Sequence, residues 1–121
     1  DNISGQYAEC AAYFRLVYHA LVASNDAATA SKYRKAEDDS MLYSLLAASE
    51  GRDKDLAVRV TNSRIEMYLG FMKKEVNNRN ENISILINKY GNECIALINS
   101  LPAELERVRK EREHEEKQKP R

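Results

Sequence analysis

Two cysteines lie near opposite ends of the chain, and each belongs to a stripe of apolar residues with helical spacing. Within both stripes the apolar positions alternate in steps of four and three residues. This alternation is typical of a helix that buries one face against its neighbours. The first stripe consists of Ile3, Tyr7, Cys10, Phe14, Val17 and Leu21, and the second of Ile83, Ile87, Tyr90, Cys94, Leu97 and Leu101.

The two stripes can be aligned antiparallel with Cys10 opposite Cys94. In that register the numbers of paired residues add up to 104, and every apolar position of one stripe meets an apolar position of the other. Because the first and last helices of an up-down bundle are antiparallel neighbours, we expect a Cys10–Cys94 disulfide. Two alternatives stay open, namely two buried free thiols that act as small hydrophobic groups and pairing between molecules. A disulfide implies an oxidising compartment such as the periplasm or the cell exterior.

The rest of the chain also favours helix, since glycine (4) and proline (2) are scarce. Asp26 and Asp53 are predicted N-caps, and Gly51 is a predicted C-terminal cap. Pro102 predicts a short fifth helix through residues 105 and 108. We therefore predict an all-α, up-down four-helix bundle with its first and last helices antiparallel, a bundle domain at 1–108 and a charged tail at 109–121, helical or disordered. The four helical segments are predicted at 3–23, 27–49, 54–76 and 81–99.

Charge and hydropathy exclude several classes of function. The 19 basic and 19 acidic residues balance, so no net charge draws the chain to nucleic acid or to an anionic membrane. No stretch reaches the roughly 18 apolar residues of a membrane-spanning helix, so we expect no integral membrane segment. The chain begins at Asp1 rather than methionine, which favours a removed signal peptide and a periplasmic or secreted protein.

The residues that usually carry chemistry are sparse. His19 and His114 have no neighbouring ligands that complete a metal site. The haem motif C-x-x-C-H, the phosphate-binding P-loop and the dinucleotide-binding glycine motif are absent. Cys10 and His19 are nine residues apart, so one helix cannot pair them as nucleophile and base. We expect no cofactor, no metal and no enzymatic activity.

Tyrosine is the abundant aromatic residue, with seven copies against two phenylalanines. Tyrosine is enriched at recognition surfaces, although most of these rings are expected at the edge of the core. Tyr13 lies off the first stripe and Tyr68 opposite the main apolar face of the third helix, so both are candidates for contact with a partner. The basic residues Arg59, Arg64 and Lys73 on the third helix complete the predicted partner-binding set.

Two short motifs suggest a family. The segments Cys10-Ala11-Ala12-Tyr13 and Tyr90-Gly91-Asn92-Glu93-Cys94 resemble the paired cysteine motifs of small exported α-helical proteins of Gram-negative bacteria. In those proteins an early Cys-x-x-Tyr/Phe helix precedes a late Tyr-Gly…Cys segment. The resemblance implies a periplasmic location and no particular reaction.

The expected function is that of an exported, non-catalytic binding or scaffold protein that acts through protein–protein contacts. An inhibitor or immunity-type protein is one version, and a self-associating envelope protein is another. The alternative is a carrier of a small apolar ligand between the helices. The segment from Ala27 to Ser40 has few large side chains and leaves room for a groove or an oligomer seam.

Overall fold

The computed structural model of the chain describes residues 2–101, 103, 105–107, 110, 111 and 114. Within them the predicted all-α, up-down four-helix bundle is confirmed, with no strand and with a disulfide between the first and last helices. The predicted bounds differ most before the last helix, where Asn80–Asn82 form a 3₁₀ turn. The helices are α1 (Asn2–Ala23), α2 (Ala27–Ala48), α3 (Lys54–Glu75) and α4 (Ile83–Asn99).

The helix boundaries follow the predicted turn chemistry. The Asp26 side chain accepts a hydrogen bond from the Thr29 amide, and the Asp53 side chain accepts one from the Leu56 amide at 2.8 Å. Each carboxylate therefore satisfies one of the amides that a helix start leaves unpaired. Gly51 has a φ of 72°, the left-handed conformation that glycine adopts at little cost.

The predicted fifth helix is described only in part. Residues 103 and 105–107 are helical, and Leu105 is buried. Pro102 and Val108 lie outside the described residues, as does most of the predicted tail at 109–121.

α1 is the central helix of the bundle. It packs against α2, α3 and α4, whereas those three helices make fewer contacts with one another. From Tyr7 to Phe14 every residue is buried except Glu9, which is half-buried. A helix that is apolar on all sides has to be enclosed on all sides, and α1 meets this condition over two turns.

Small side chains allow α1 and α2 to lie close together, because the distance between helix axes depends on the side chains at the contact. The Ser4 hydroxyl donates to the Ser44 carbonyl oxygen at 2.9 Å, and the Ser44 hydroxyl donates back to the Ser4 carbonyl oxygen at 2.8 Å. Ala30, Ala36 and Ser40, which belong to the segment of the predicted groove or seam, are buried inside the bundle. The buried alanine and serine residues are Ser4, Ala8, Ala11, Ala12 and Ala20 of α1 with Ala30, Ala36, Ser40, Ser44 and Ala48 of α2.

The antiparallel register of α1 and α4 is confirmed. The Cys10 and Cys94 Cα atoms are 5.4 Å apart and the residues form a disulfide. The Tyr7 hydroxyl donates to the Leu97 carbonyl oxygen at 2.8 Å, and these two residue numbers also add up to 104. The register therefore extends for about one helical turn beyond the disulfide.

Candidate functional site

Both cysteines are structural. Cys10 and Cys94 are each 1% exposed and joined in the disulfide, so no free thiol is present. A buried disulfide offers neither a nucleophile nor a metal ligand, since both roles need a thiolate. The pair stabilises the fold, and the functional surface has to be sought elsewhere.

Tyr13 is in the core, so its predicted role in partner contact is wrong. It is 0% exposed, and its ring packs near those of Phe14, Tyr33 and Tyr90 at centroid distances of 5.1, 6.5 and 6.1 Å. The physical reason is the central position of α1, which buries residues outside the stripe as well as within it. Burial, with an added effect of Tyr33, raises the pKa of the Tyr13 hydroxyl.

The other predicted partner-binding residues lie on different sides of α3. Tyr68 is half-buried against the core, and its hydroxyl comes close to Gly5 of α1. Arg64 is also half-buried, whereas Arg59 and Lys73 are exposed. The structure therefore does not join the set into one patch. Arg59 and Lys73 remain accessible to a partner, about 14 residues or four turns apart along the helix.

An open apolar groove separates α2 from α3. Next to the connecting loop the two helices bury Ala48 and Ala57 completely. One turn further from the loop they leave a groove of about 220 Å³. Leu42 on its α2 side is 47% exposed, and Thr61 on the α3 side is buried. The groove is lined by Met41, Leu42, Leu45, Val58, Thr61 and Asn62.

Charged residues lie close in sequence to the lining residues on both helices, and one of them, Asp38, pairs with Arg34 at 3.8 Å. Asp38 is exposed one turn before Leu42 on α2, and Arg59 is exposed beside Val58 on α3. None of the residues that line the groove is ionisable. An apolar centre with a charged margin is the usual anatomy of a protein–protein contact.

A second depression lies at the opposite end of the bundle. It measures about 360 Å³ and is open, and it is formed where the end of α1 meets the 3₁₀ turn. Its lining mixes Leu21 and Ile83 with the polar Ser24, Asn80 and Glu81. Because Ser24, Asn80 and Glu81 contribute to its lining, a larger share of its surface is polar than in the α2/α3 groove.

A polar cluster occupies the boundary between α1, α3 and α4. Glu75 accepts hydrogen bonds from Tyr90 at 2.7 Å and from Lys89 at 3.0 Å. Burial raises the pKa of Glu75, but these two hydrogen bonds outweigh it and hold the pKa below its usual value. Burial raises the pKa of Glu9, and the nearby Glu93 carboxylate adds to the rise.

This cluster binds helices together rather than forming a metal site. Among the described residues, no three histidine, cysteine, aspartate or glutamate side chains group so that they could hold a metal ion. Lys89 and Tyr90 already occupy both oxygens of Glu75.

None of the described helices is long and apolar enough to cross a membrane.

A groove on α2 was predicted along Ala27 to Ser40, but the α2/α3 groove lies just after that segment, at Met41 to Leu45. Ser40 and Ser44 lie on the buried face of α2, and both are 0% exposed. The larger residues Met41, Leu42 and Leu45 therefore belong to other faces of the same helix. Large apolar residues beside a buried stripe of small ones indicate a helix with apolar surface left over.

Comparison with known protein families, with curated proteins and with solved structures finds no match to this chain. The resemblance to exported Gram-negative proteins therefore stays a prediction. The function has to be inferred from the surface of the molecule.

Proposed function

We propose that the protein is a non-catalytic binding protein that acts by protein–protein contact, and that the α2/α3 groove receives an apolar side chain of the partner. The observation that carries this proposal is the groove itself, which is open, apolar and free of ionisable lining residues. Binding energy at protein interfaces concentrates where an apolar anchor fills such a depression. The charged margin formed by Asp38 and Arg59 would orient the partner.

The dimensions of the groove favour a protein partner over a small ligand. Sites for small molecules usually enclose about 300–1,000 Å³ and bury most of the ligand. The α2/α3 groove has about 220 Å³ and is open to solvent. A side chain attached to a larger surface needs only such a partial enclosure, because the rest of the partner covers the opening. The carrier of a small apolar ligand is therefore the second choice.

The proposed compartment is oxidising, periplasmic or extracellular. The Cys10–Cys94 disulfide supports this, because structural disulfides persist where thiols are not kept reduced. An inhibitor or immunity-type protein and a self-associating envelope protein both fit a stable bundle that presents an apolar groove. Neither role requires a reacting group.

Photo-cross-linking from inside the groove tests the proposal. A photoreactive amino acid replaces Leu42 in one variant and Val58 in a second, and Lys32, exposed on another side of α2, in the control. After irradiation in extract of the source organism, we expect the same discrete protein adduct from both groove positions and none from the control. The Leu45→Glu substitution should remove that adduct, since it places a charge in the groove.

Two outcomes would contradict the proposal. Adducts that are equal at the groove and control positions would mean that the groove recognises nothing in particular. Adducts with the mass of a lipid or another small molecule would favour the carrier function instead. Circular dichroism of each variant shows whether the bundle is still folded.

A further inference from the structure

The outer face of α3 carries an apolar pair around an exposed glycine. Met67 is 46% exposed and Phe71 is 53% exposed, one turn apart on the side of the helix away from the core. Gly70 lies beside them, and a Cβ atom added to it would meet no atom of the described residues within 4 Å. Nothing in the described part of the chain requires a glycine here, and glycine is unfavourable in a helix interior compared with alanine.

We propose that this surface joins two copies of the chain, with the two α3 helices antiparallel and crossing at Gly70. The α3 face is defined as Glu66, Met67, Gly70, Phe71 and Lys73. A glycine at the crossing point allows two helix backbones to approach closely, because no Cβ atoms stand between them. This explains a glycine that the monomer does not need.

The charges on the α3 face complement themselves. Glu66 and Lys73 are seven residues apart, which is close to two helical turns, so they lie on the same side of α3 with Gly70 between them. Both are exposed, and neither has an ion-pair partner among the described residues. In an antiparallel pair with a two-fold axis at Gly70, Glu66 of each copy faces Lys73 of the other. In a parallel pair the two-fold axis would run along the helices and set the Glu66/Lys73 flank of each copy against the Met67/Phe71 flank of the other, which would leave both charges without a partner.

The apolar residues fit the same symmetry. Phe71 lies on the flank of α3 opposite to Glu66 and close to the level of Gly70. The two-fold axis therefore brings Phe71 next to Phe71 of the second copy, with Met67 beside it. One flank of the contact is then apolar and the other carries two ion pairs, as an isologous interface requires.

The expected affinity is modest. A standard interface buries about 800 Å² of accessible surface on each partner. That is about a tenth of the 7831 Å² of accessible surface of this chain. One face of a 22-residue helix, about 33 Å long, supplies less than that. We therefore expect a dimer that dissociates in the micromolar range, and the zero net charge does not oppose it. None of the five residues lines the α2/α3 groove, so this inference is independent of the proposed function.

Sedimentation equilibrium between about 1 and 500 µM tests the proposal. The average mass of the wild type should rise from 13.8 kDa towards twice that value. Glu66→Lys and Lys73→Glu each replace the two ion pairs of the dimer with two contacts between like charges. Each substitution should therefore weaken dimerisation about tenfold or more. The double variant E66K/K73E restores both pairs and should return the dissociation constant to within about threefold of wild type. Gly70→Leu should abolish the dimer.

Three results would overturn the inference. The first is a wild type that stays monomeric over the whole range. The second is a dimer that neither single charge reversal weakens, and the third is a double variant that behaves like the singles. Thermal melts of the dilute variants separate these results from misfolding, because all three substituted side chains are exposed in the monomer.

Discussion

Reduction of the Cys10–Cys94 disulfide should cost the protein about 4.5 kcal/mol of stability. The bond joins residues 84 positions apart, and the chain-entropy model gives about 4.5 kcal/mol for a loop of that length at 25 °C. Both sulfur atoms sit in the core, where the residues are 1% exposed. The free thiols can remain there as small apolar groups, so the loss comes mainly from the freed unfolded chain.

The size of the effect makes it measurable by heat and by urea. Unfolding entropy of about 2.1 cal/mol/K per residue amounts to about 0.25 kcal/mol/K for the 121-residue chain. The melting temperature should therefore fall by about 18 °C. Because the cysteines are buried, the protein has to be reduced while unfolded and then refolded in reductant. Circular dichroism should show a lower urea midpoint and a steeper dependence on urea, since the reduced unfolded chain exposes more surface.

The Cys10→Ala/Cys94→Ala variant is the control, and reductant should leave its stability unchanged. A loss of less than about 1 kcal/mol on reduction of wild type, with no change in urea dependence, would contradict an entropic stabilisation by the disulfide. That result would mean that the unfolded chain already holds α1 and α4 together.

Three further predictions concern single side chains. Gly91→Ala should destabilise the protein by about 1 kcal/mol or more, because the new Cβ atom would lie 3.1 Å from the buried Tyr13 hydroxyl oxygen. Adding Tyr13→Phe, which removes that oxygen, should relieve the clash. The exposed control Gly70→Ala should instead stabilise the protein by about 0.5–1 kcal/mol in urea unfolding of dilute protein. Burial and the Glu93 carboxylate raise the pKa of Glu9, so the contribution of Glu9 to stability is complete below its unfolded pKa and is lost as pH rises through its folded pKa. The Glu9→Gln variant should therefore be more stable than wild type at pH 7, and its stability should depend less on pH. A variant that is no more stable than wild type would contradict this. Burial raises the pKa of Tyr7 to about 12, so wild type should lose stability as pH rises from the unfolded pKa of 10.0 to about 12. The Tyr7→Phe variant should be about 1 kcal/mol less stable at pH 7, because it lacks the hydrogen bond, but its stability should fall less between pH 10 and pH 12. Thermal melts measure the stability, and tyrosinate absorbance follows the ionisation of Tyr7.

The helices, their order and the α1–α4 register could be predicted because local signals agree. Asp26 and Asp53 mark helix starts, and the two heptad stripes contain one cysteine each. A stripe specifies which residues meet when only one neighbour is involved. The detail was less reliable, since Ile87 belongs to the predicted stripe but is 39% exposed, whereas the adjacent Leu86 is fully buried.

The central position of α1, which is the reason that Tyr13 is buried, could not be derived in the same way. A stripe describes one face, but three helices pack around α1. The α2/α3 groove has a related cause, because Ser40 and Ser44 draw α2 towards α1 with small side chains. How far α2 then separates from α3 depends on contacts between residues distant in the chain. Periodicity along one helix contains no information about that separation.

Thiol trapping in protein taken from its native source shows whether Cys10 and Cys94 are joined where the protein works. The protein is unfolded without reductant in the presence of an alkylating reagent, digested and analysed by mass spectrometry. A disulfide-stapled protein of an oxidising compartment yields no alkylated cysteine and one peptide that joins Cys10 to Cys94. Alkylation of both cysteines would contradict the compartment, and with it the proposed role outside the cytoplasm.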